Sequence, residues 1–222
     1  MQEMNYGNNT TADIRALADA VCGAACAVHR GAGQIPNGVV SRYPILESGT
    51  WTDPKVSNRD FAWTRIDVPG PVDLWAVSVH LLTSNATERN AEASSLVSQL
   101  QAKVPAGDFM VVGGDFNTDA RTEAALTSFS AIFSIAAPYP ADNKANGNTN
   151  ASRSKPYDWV LPSPGLRGYE TAVRIGASVF PSGLVVDTRV YTPIAELAPA
   201  LSSDSGASSM QHMAVVRDFV LP

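Results

Sequence analysis

Val111-Val112-Gly113-Gly114-Asp115-Phe116-Asn117 begins as an apolar β run and ends, just past two glycines, in a carboxylate and a carboxamide two residues apart. Side chains alternate along an extended backbone, so Asp115 and Asn117 are predicted to point to the same side at the strand's end. The glycines remove bulk and permit a ligand close to the backbone. A buried strand leading into a simple Asp/Asn turn has the same pattern. Residues further out decide between the two readings.

At 222 residues and 45% apolar content, the chain is long enough for one domain with a substantial core. No apolar run approaches the roughly 18 residues that a membrane helix needs, so no membrane span is expected. The net charge of -5 argues against a protein that holds nucleic acid by a basic surface alone. It leaves open an enzyme whose cleft is locally cationic or filled by a metal. Only four of the 16 basic residues are lysine, and arginine is the better bidentate partner for phosphate. Cys22 and Cys26 fall in an Ala-rich helical pattern running from Ala12 to Val28, which would place both sulfurs on one face. Two small buried residues are the favoured reading over a disulfide. A metal site there has no further ligand than His29.

Outward from the central stretch, Leu74 to Leu81 reads as a strand with His80 near its end, and Phe61 to Val68 as the half-buried strand before it. Glu88 to Lys103 is an amphipathic helix whose apolar stripe is Ala91, Leu96, Val97 and Leu100. Tyr157 to Leu161 is a short strand with Asp158 near its start. Thr10 or Thr11 caps the first helix, and Val39 to Ile45 is a strand broken by Pro44. The polar stretch from Pro138 to Pro156 is predicted to be a surface loop at a functional edge. Ser202 to Ser209 is expected to be flexible and leads to Gln211-His212. Strands divided by turns, with helices inserted, predict an α+β domain whose sheets are mixed.

Glu3, His80, Asp115 with Asn117, Asp158 and His212 thus all stand at strand ends or adjacent turns. A lone histidine on an apolar strand is usually a core residue. Here two of the three histidines occupy such positions with a carboxylate within reach, an arrangement suited to acid-base work.

With these motifs in place, the sequence resembles the endonuclease/exonuclease/phosphatase superfamily, the metal-dependent phosphoesterases that include deoxyribonuclease I. The matching elements are Gln2-Glu3, Ser41-Arg42-Tyr43-Pro44, Arg59-Asp60, Val79-His80-Leu81, Gly114-Asp115-Phe116-Asn117, Tyr157-Asp158-Trp159-Val160 and Gln211-His212 followed by Val215, in the family's order. The resemblance implies a four-layer sandwich of two mixed sheets packed face to face, with helices outside. It implies that Glu3 holds Mg²⁺, a hard cation that suits a carboxylate and waters, with Mn²⁺ or Ca²⁺ as alternatives. Asp115 would orient or deprotonate the attacking water and Asn117 would bind a phosphate oxygen. His212, oriented by Asp158, and His80, paired with Asp60, would stabilise developing charge. Each histidine is expected to have its pKa raised by its carboxylate. Gln211 stands where the family has an acidic residue; it can still ligate a metal but brings no charge, which implies weaker metal binding unless Asp204 substitutes. The family's first strand, with its asparagine, and the helix after it are not in the chain, so the domain at 1–222 is expected to be N-terminally incomplete.

The reading is therefore a Mg²⁺-dependent hydrolase of phosphate esters, expected to be a monomer, with nucleic acid among its substrates. A lipid or inositol phosphate phosphoesterase shares the same catalytic set. The rival from another class is a catalytically weak phosphate-binding module of the same fold. Asn5 stands where deoxyribonuclease I-like enzymes carry a nucleic-acid-contacting arginine, which weakens duplex nicking in particular.

Overall fold

The computed structural model describes residues 1–23 and 25–222; residue 24, inside the predicted helix Ala12 to Val28, lies outside them. That helix is shorter than its pattern. Helix α1 (Thr11–Cys22) starts in a capping box, with Thr10 Oγ1 accepting from the Asp13 N–H and Asp13 accepting from the Thr10 N–H. Gly23 closes it in the left-handed conformation at φ 75°. The chain then turns into β1 (Ala27–Arg30), antiparallel to β2 (Gly38–Ser41). Cys22 and Cys26 meet across this turn and form a disulfide. The helix-face reading fails because Cys26 lies past the helix end.

After Pro44 come β3 (Ile45–Trp51), β4 (Phe61–Ile66), β5 (Leu74–His80), helix α2 (Ala86–Lys103) and β6 (Phe109–Asp115). Helix α3 (Ala124–Phe129), strand β7 (Asp158–Pro162) and the short α4 (Pro164–Arg167) follow. These five strands form one mixed sheet in the order β3-β4-β5-β6-β7, with β5 and β6 parallel and every other pair antiparallel. The parallel pair requires a crossover, which α2 supplies.

Alternation divides this sheet's faces. Trp75, Val77, Val79 and Val112 pack against Leu96 and Leu100 of α2 and against Leu126 and Phe129 of α3. The other face, small at Ala76, Ser78 and Gly113, looks onto a second β layer. That layer is built from two-stranded pieces: β1 with β2, β8 (Glu170–Thr171) with β13 (Asp218–Phe219), β9 (Val173–Ile175) with β10 (Ser178–Phe180), and β11 (Leu184–Val186) with β12 (Ala214–Val216). Helix α1 lies against β1 and β2. The result is the deoxyribonuclease I-like α/β sandwich, with a second layer segmented instead of continuous. A cavity of about 580 Å³ separates β2 from β12 along the central sheet's inner face.

Three expectations need physical correction. The buried face of α2 includes Arg89 and Glu92 as well as Ala93, Leu96, Val97 and Leu100, while Ala91 is only half-buried. Arg89 is kept in the core by a bidentate pair with Glu123 at 2.9 and 2.8 Å and by the Leu82 and Thr83 carbonyls, and Glu92 accepts the Leu82 N–H at 2.9 Å. Hydrogen bonding of the Arg89 cation and of the Glu92 carboxyl makes such burial tolerable. The stretch from 138 to 156 is a loop beside the site with exposed turns, but it also buries Asp142, Thr149 and Asn150. Within the Ser/Gly segment Ser205 is buried too, exchanging hydrogen bonds of 3.0 and 2.9 Å with Thr188. Among the described residues no helix is long and apolar enough to cross a membrane.

Candidate active site

Strand register assembles the site. His80 at the end of β5 lies opposite Asp115 at the end of β6, and Asp115 lies opposite Asp158 at the start of β7. Because β5 and β6 are parallel and β7 runs back, two strand ends and one strand start bring three side chains to one edge of the sheet. His212 arrives from the segment before β12, bridged to Asn150, and Glu3 from the N-terminal segment, where its backbone is left-handed at φ 47°.

Asp115 is the hub. Its Oδ2 lies 3.4 Å from His80 Nε2 and 3.7 Å from His212 Nε2. Its Oδ1 accepts the Asn117 N–H at 2.7 Å, a tight turn in which Asn117 adopts φ 50°. Asn117 thus faces Asp115 through this turn, since β6 has already ended and alternation no longer applies. Both N–H bonds of its amide are taken, by Asp115 Oδ2 at 3.0 Å and by the Leu81 carbonyl at 2.9 Å. In this arrangement Asn117 orients Asp115; holding a phosphate oxygen would require giving up one of these bonds. Gly114 also has a steric reason of its own. Gly114 has φ 147°, and a Cβ there would overlap the Val79 carbonyl oxygen of β5.

The two histidines are in opposite electrostatic states. His212 Nδ1 is 3.0 Å from Asp158 Oδ2. That hydrogen bond raises its pKa, as expected, with the charges of Asp158 and Asp115 adding to the effect. His80 contradicts the expectation. Asp60 is not within ion-pair distance of it; its carboxylate neighbours are Asp115 and, 3.7 Å from Nδ1, Glu3 Oε1. The cause is a register step: Arg59, not Asp60, turns inward, and its guanidinium donates to the His80 carbonyl at 2.6 Å and the Leu81 carbonyl at 3.1 Å. Asp60 contributes only its backbone oxygen, to Asn37. Burial, then the cation of Arg59 and that of His212, lower the His80 pKa to about 3. Burial, with Asp158 beside it, raises Asp115 to about 7.

The donor set suits a hard divalent cation. One ligand atom each from Asp115, Asp158 and His212 lies within 4.8 Å of the others, and the Glu3 carboxylate stands on the far side of His80, 60% exposed. His80 Nδ1 is buried with no hydrogen-bond partner among the described residues. Gln211, next to His212 in sequence, is exposed. Asp204 is spent on the Leu201 N–H of its own turn. Glu3, His80, Asp115, Asn117, Asp158 and His212 therefore converge, whereas Asp60 and Asp204 do not join them. Arg59 is the residue that sequence reasoning passed over, although it lay in the quoted Arg59-Asp60 pair.

The fold is similar to that of several solved structures. A functionally unknown conserved protein from Enterococcus faecalis V583 aligns at TM-score 0.53 and 13% identity, over 65% of this chain and 68% of that one. Sphingomyelinase C from Streptomyces griseocarneus aligns at TM-score 0.49 and 19% identity, over 65% of this chain and 62% of that one. A humanized D. rerio TDP2 aligns at TM-score 0.48 and 16% identity, over 67% and 66%. This chain thus spans less than two thirds of the length of the sphingomyelinase. No curated protein sequence matches it significantly. The Endonuclease/Exonuclease/phosphatase family model matches residues 1–204, which include every converging group except His212. With that match and the sandwich fold, the chain belongs to the endonuclease/exonuclease/phosphatase family.

Proposed function

We propose that the protein is a divalent-metal-dependent phosphodiesterase, acting as a monomer, with nucleic acid as the first substrate to test. Family and fold support a hydrolase of the phosphoesterase or nuclease type. The observation that carries the finer reading is Asp115, a buried carboxylate set between the Nε2 atoms of two imidazoles at 3.4 and 3.7 Å.

Hydrolysis needs a water held against phosphorus, a base for its proton and charge to meet the developing negative oxygens. Asp115 Oδ2 is the base; a pKa of about 7 suits proton transfer near neutral pH. Asn117 fixes its orientation. His212, whose protonated form Asp158 favours and which is 37% exposed, would meet the phosphate through its Nε2. His80 is neutral and contributes hydrogen bonding without charge. Glu3 would hold Mg²⁺, Mn²⁺ or Ca²⁺, which would supply Lewis-acid stabilisation of the phosphoryl oxygens.

Hydrolysis of bis(p-nitrophenyl) phosphate, single-stranded DNA and sphingomyelin, each with Mg²⁺ and with a chelator, tests the proposal. Metal-dependent turnover that Asp115→Asn abolishes is the expected result. Absence of turnover on all three, with phosphate binding retained, would favour the binding-module reading, which the uncharged Gln211 supports.

A further inference from the structure

The stretch from 138 to 156 is pinned by buried ion pairs. Arg153, left-handed at φ 59°, reaches Asp142 with Nη2 and Asp187 Oδ2 with Nε at 3.0 Å, and both carboxylates are buried. Asn150 Oδ1 accepts the N–H groups of Ser154 and Lys155 at 2.8 and 2.9 Å, closing the tip of the loop. At the base of this frame sits Thr149, 1% exposed. Its own N–H goes to the Lys155 carbonyl at 2.9 Å. Its Oγ1 accepts the backbone N–H of Asp158 at 2.7 Å. Its carbonyl accepts the N–H of Met213, also at 2.7 Å.

One buried residue therefore holds both halves of the imidazole–carboxylate pair: Asp158 through its side chain and the residue after His212 through its main chain. We infer that Thr149 is a positioning residue that sets the His212 to Asp158 contact, with the ion-paired loop as its rigid mount. This inference rests on the phosphodiesterase reading above. A hydroxyl accepting a backbone N–H is a short, directional link with little slack. A valine of the same shape keeps the packing and the main-chain bond to Met213 but removes the acceptor at Asp158. A serine keeps the acceptor.

The test compares Thr149→Val and Thr149→Ser, each alone and combined with Asp158→Asn. The readouts are kcat, KM and the downfield proton resonance of the His212 Nδ1–H, identified by its loss in His212→Ala. Thr149→Val should lower kcat by about tenfold or more with KM little changed, and should displace or broaden the resonance. Thr149→Ser should restore both. In the Asp158→Asn background Thr149→Val should have little further effect, because the contact it positions is already weakened. An equal loss in both backgrounds, or an unmoved resonance in folded Thr149→Val, overturns the inference. If Thr149→Val does not fold, Thr149→Ala carries the same expectations. If the unmodified protein has no activity, the function reading fails on its own, and the resonance still decides the role of Thr149.

Discussion

Asp158→Asn tests the electrostatics of the site at one atom. The side chain is 11% exposed and its Oδ2 is 3.0 Å from His212 Nδ1. An asparagine oxygen can still accept that N–H, so shape and connectivity survive, and a charge-assisted bond of about 1.5–3 kcal/mol becomes a neutral one of about 0.5–1.5 kcal/mol. Because His212 is 37% exposed, solvent screens the difference, and the expected loss of folding stability is about 1 kcal/mol or less. Turnover should suffer more. An imidazole that is no longer held protonated and oriented forfeits much of an acid-base contribution of about 10² to 10⁴, equivalent to about 3–5 kcal/mol of barrier. The pH dependence has a definite sign. His212 has its pKa raised in the folded protein, so the stability it draws from Asp158 is full below its unfolded value of roughly 6.5 and is lost as pH rises through the folded one. The stability deficit of the variant should therefore shrink in alkali. Turnover of bis(p-nitrophenyl) phosphate and urea unfolding, both measured from roughly pH 5 to 9, give the two quantities. A variant that turns over within about twofold of the parent, or that loses more in stability than in barrier, would refute the reasoning.

At a Mg²⁺ concentration saturating for the parent, Glu3→Gln should nearly abolish turnover, and Gln211→Asp should lower the half-saturating Mg²⁺ by up to about tenfold, the worth of roughly 1.4 kcal/mol from one added charge; full activity in Glu3→Gln would remove Glu3 from the metal site. Burial raises the carboxyl of Glu92 from 4.5 to about 8, so its folded form holds a proton that the unfolded form releases, and wild-type stability falls as pH climbs through that window. Glu92→Gln should therefore gain on the parent between those pH values, by up to about 5 kcal/mol in urea unfolding at roughly 1.4 kcal/mol per pH unit, and a pH-independent difference would show that Glu92 is already ionised. Reducing the Cys22–Cys26 disulfide releases a loop of only a few residues, so it should cost about 2 kcal/mol of stability with kcat unchanged; a fall in kcat would tie α1 to the site.

Most of the site was legible because its residues lie where regular strands end. Period-two alternation locates β5, β6 and β7, and three residues of the candidate site sit at their last or first positions: His80, Asp115 and Asp158. What failed depended on a single step of backbone rotation or on a partner distant in sequence. Arg59 and Asp60 are adjacent, and which of them faces inward is decided by the bridge of Arg59 to Gly33, a contact no local pattern contains. Arg89 and Glu92 break an apolar stripe that the sequence alone would leave on the surface, because their partners, Glu123 and the turn after β5, lie on other elements. The 138 to 156 stretch has the composition of a loop, and it is ordered by Arg153 pairing with Asp187, 34 residues on. In the same way the α1 pattern runs on past Gly23, whose left-handed cap ends the helix and brings the two cysteines together.

The two imidazoles begin as identical groups and are made different by what stands behind each. His80 is 8% exposed and has the Arg59 cation against its backbone carbonyl; burial and that charge both penalise the protonated ring. His212 is 37% exposed and has a carboxylate on Nδ1, which favours the protonated ring. Asp115 lies between them, 3.4 Å from the Nε2 of His80 and 3.7 Å from that of His212. Environments that push like groups apart in this way assign acid and base roles. The positive charge available to an incoming phosphate is on the His212 side. On the proposed mechanism His80 closes the opposite side as a neutral wall, and Asp115 is the acceptor for the proton taken from water.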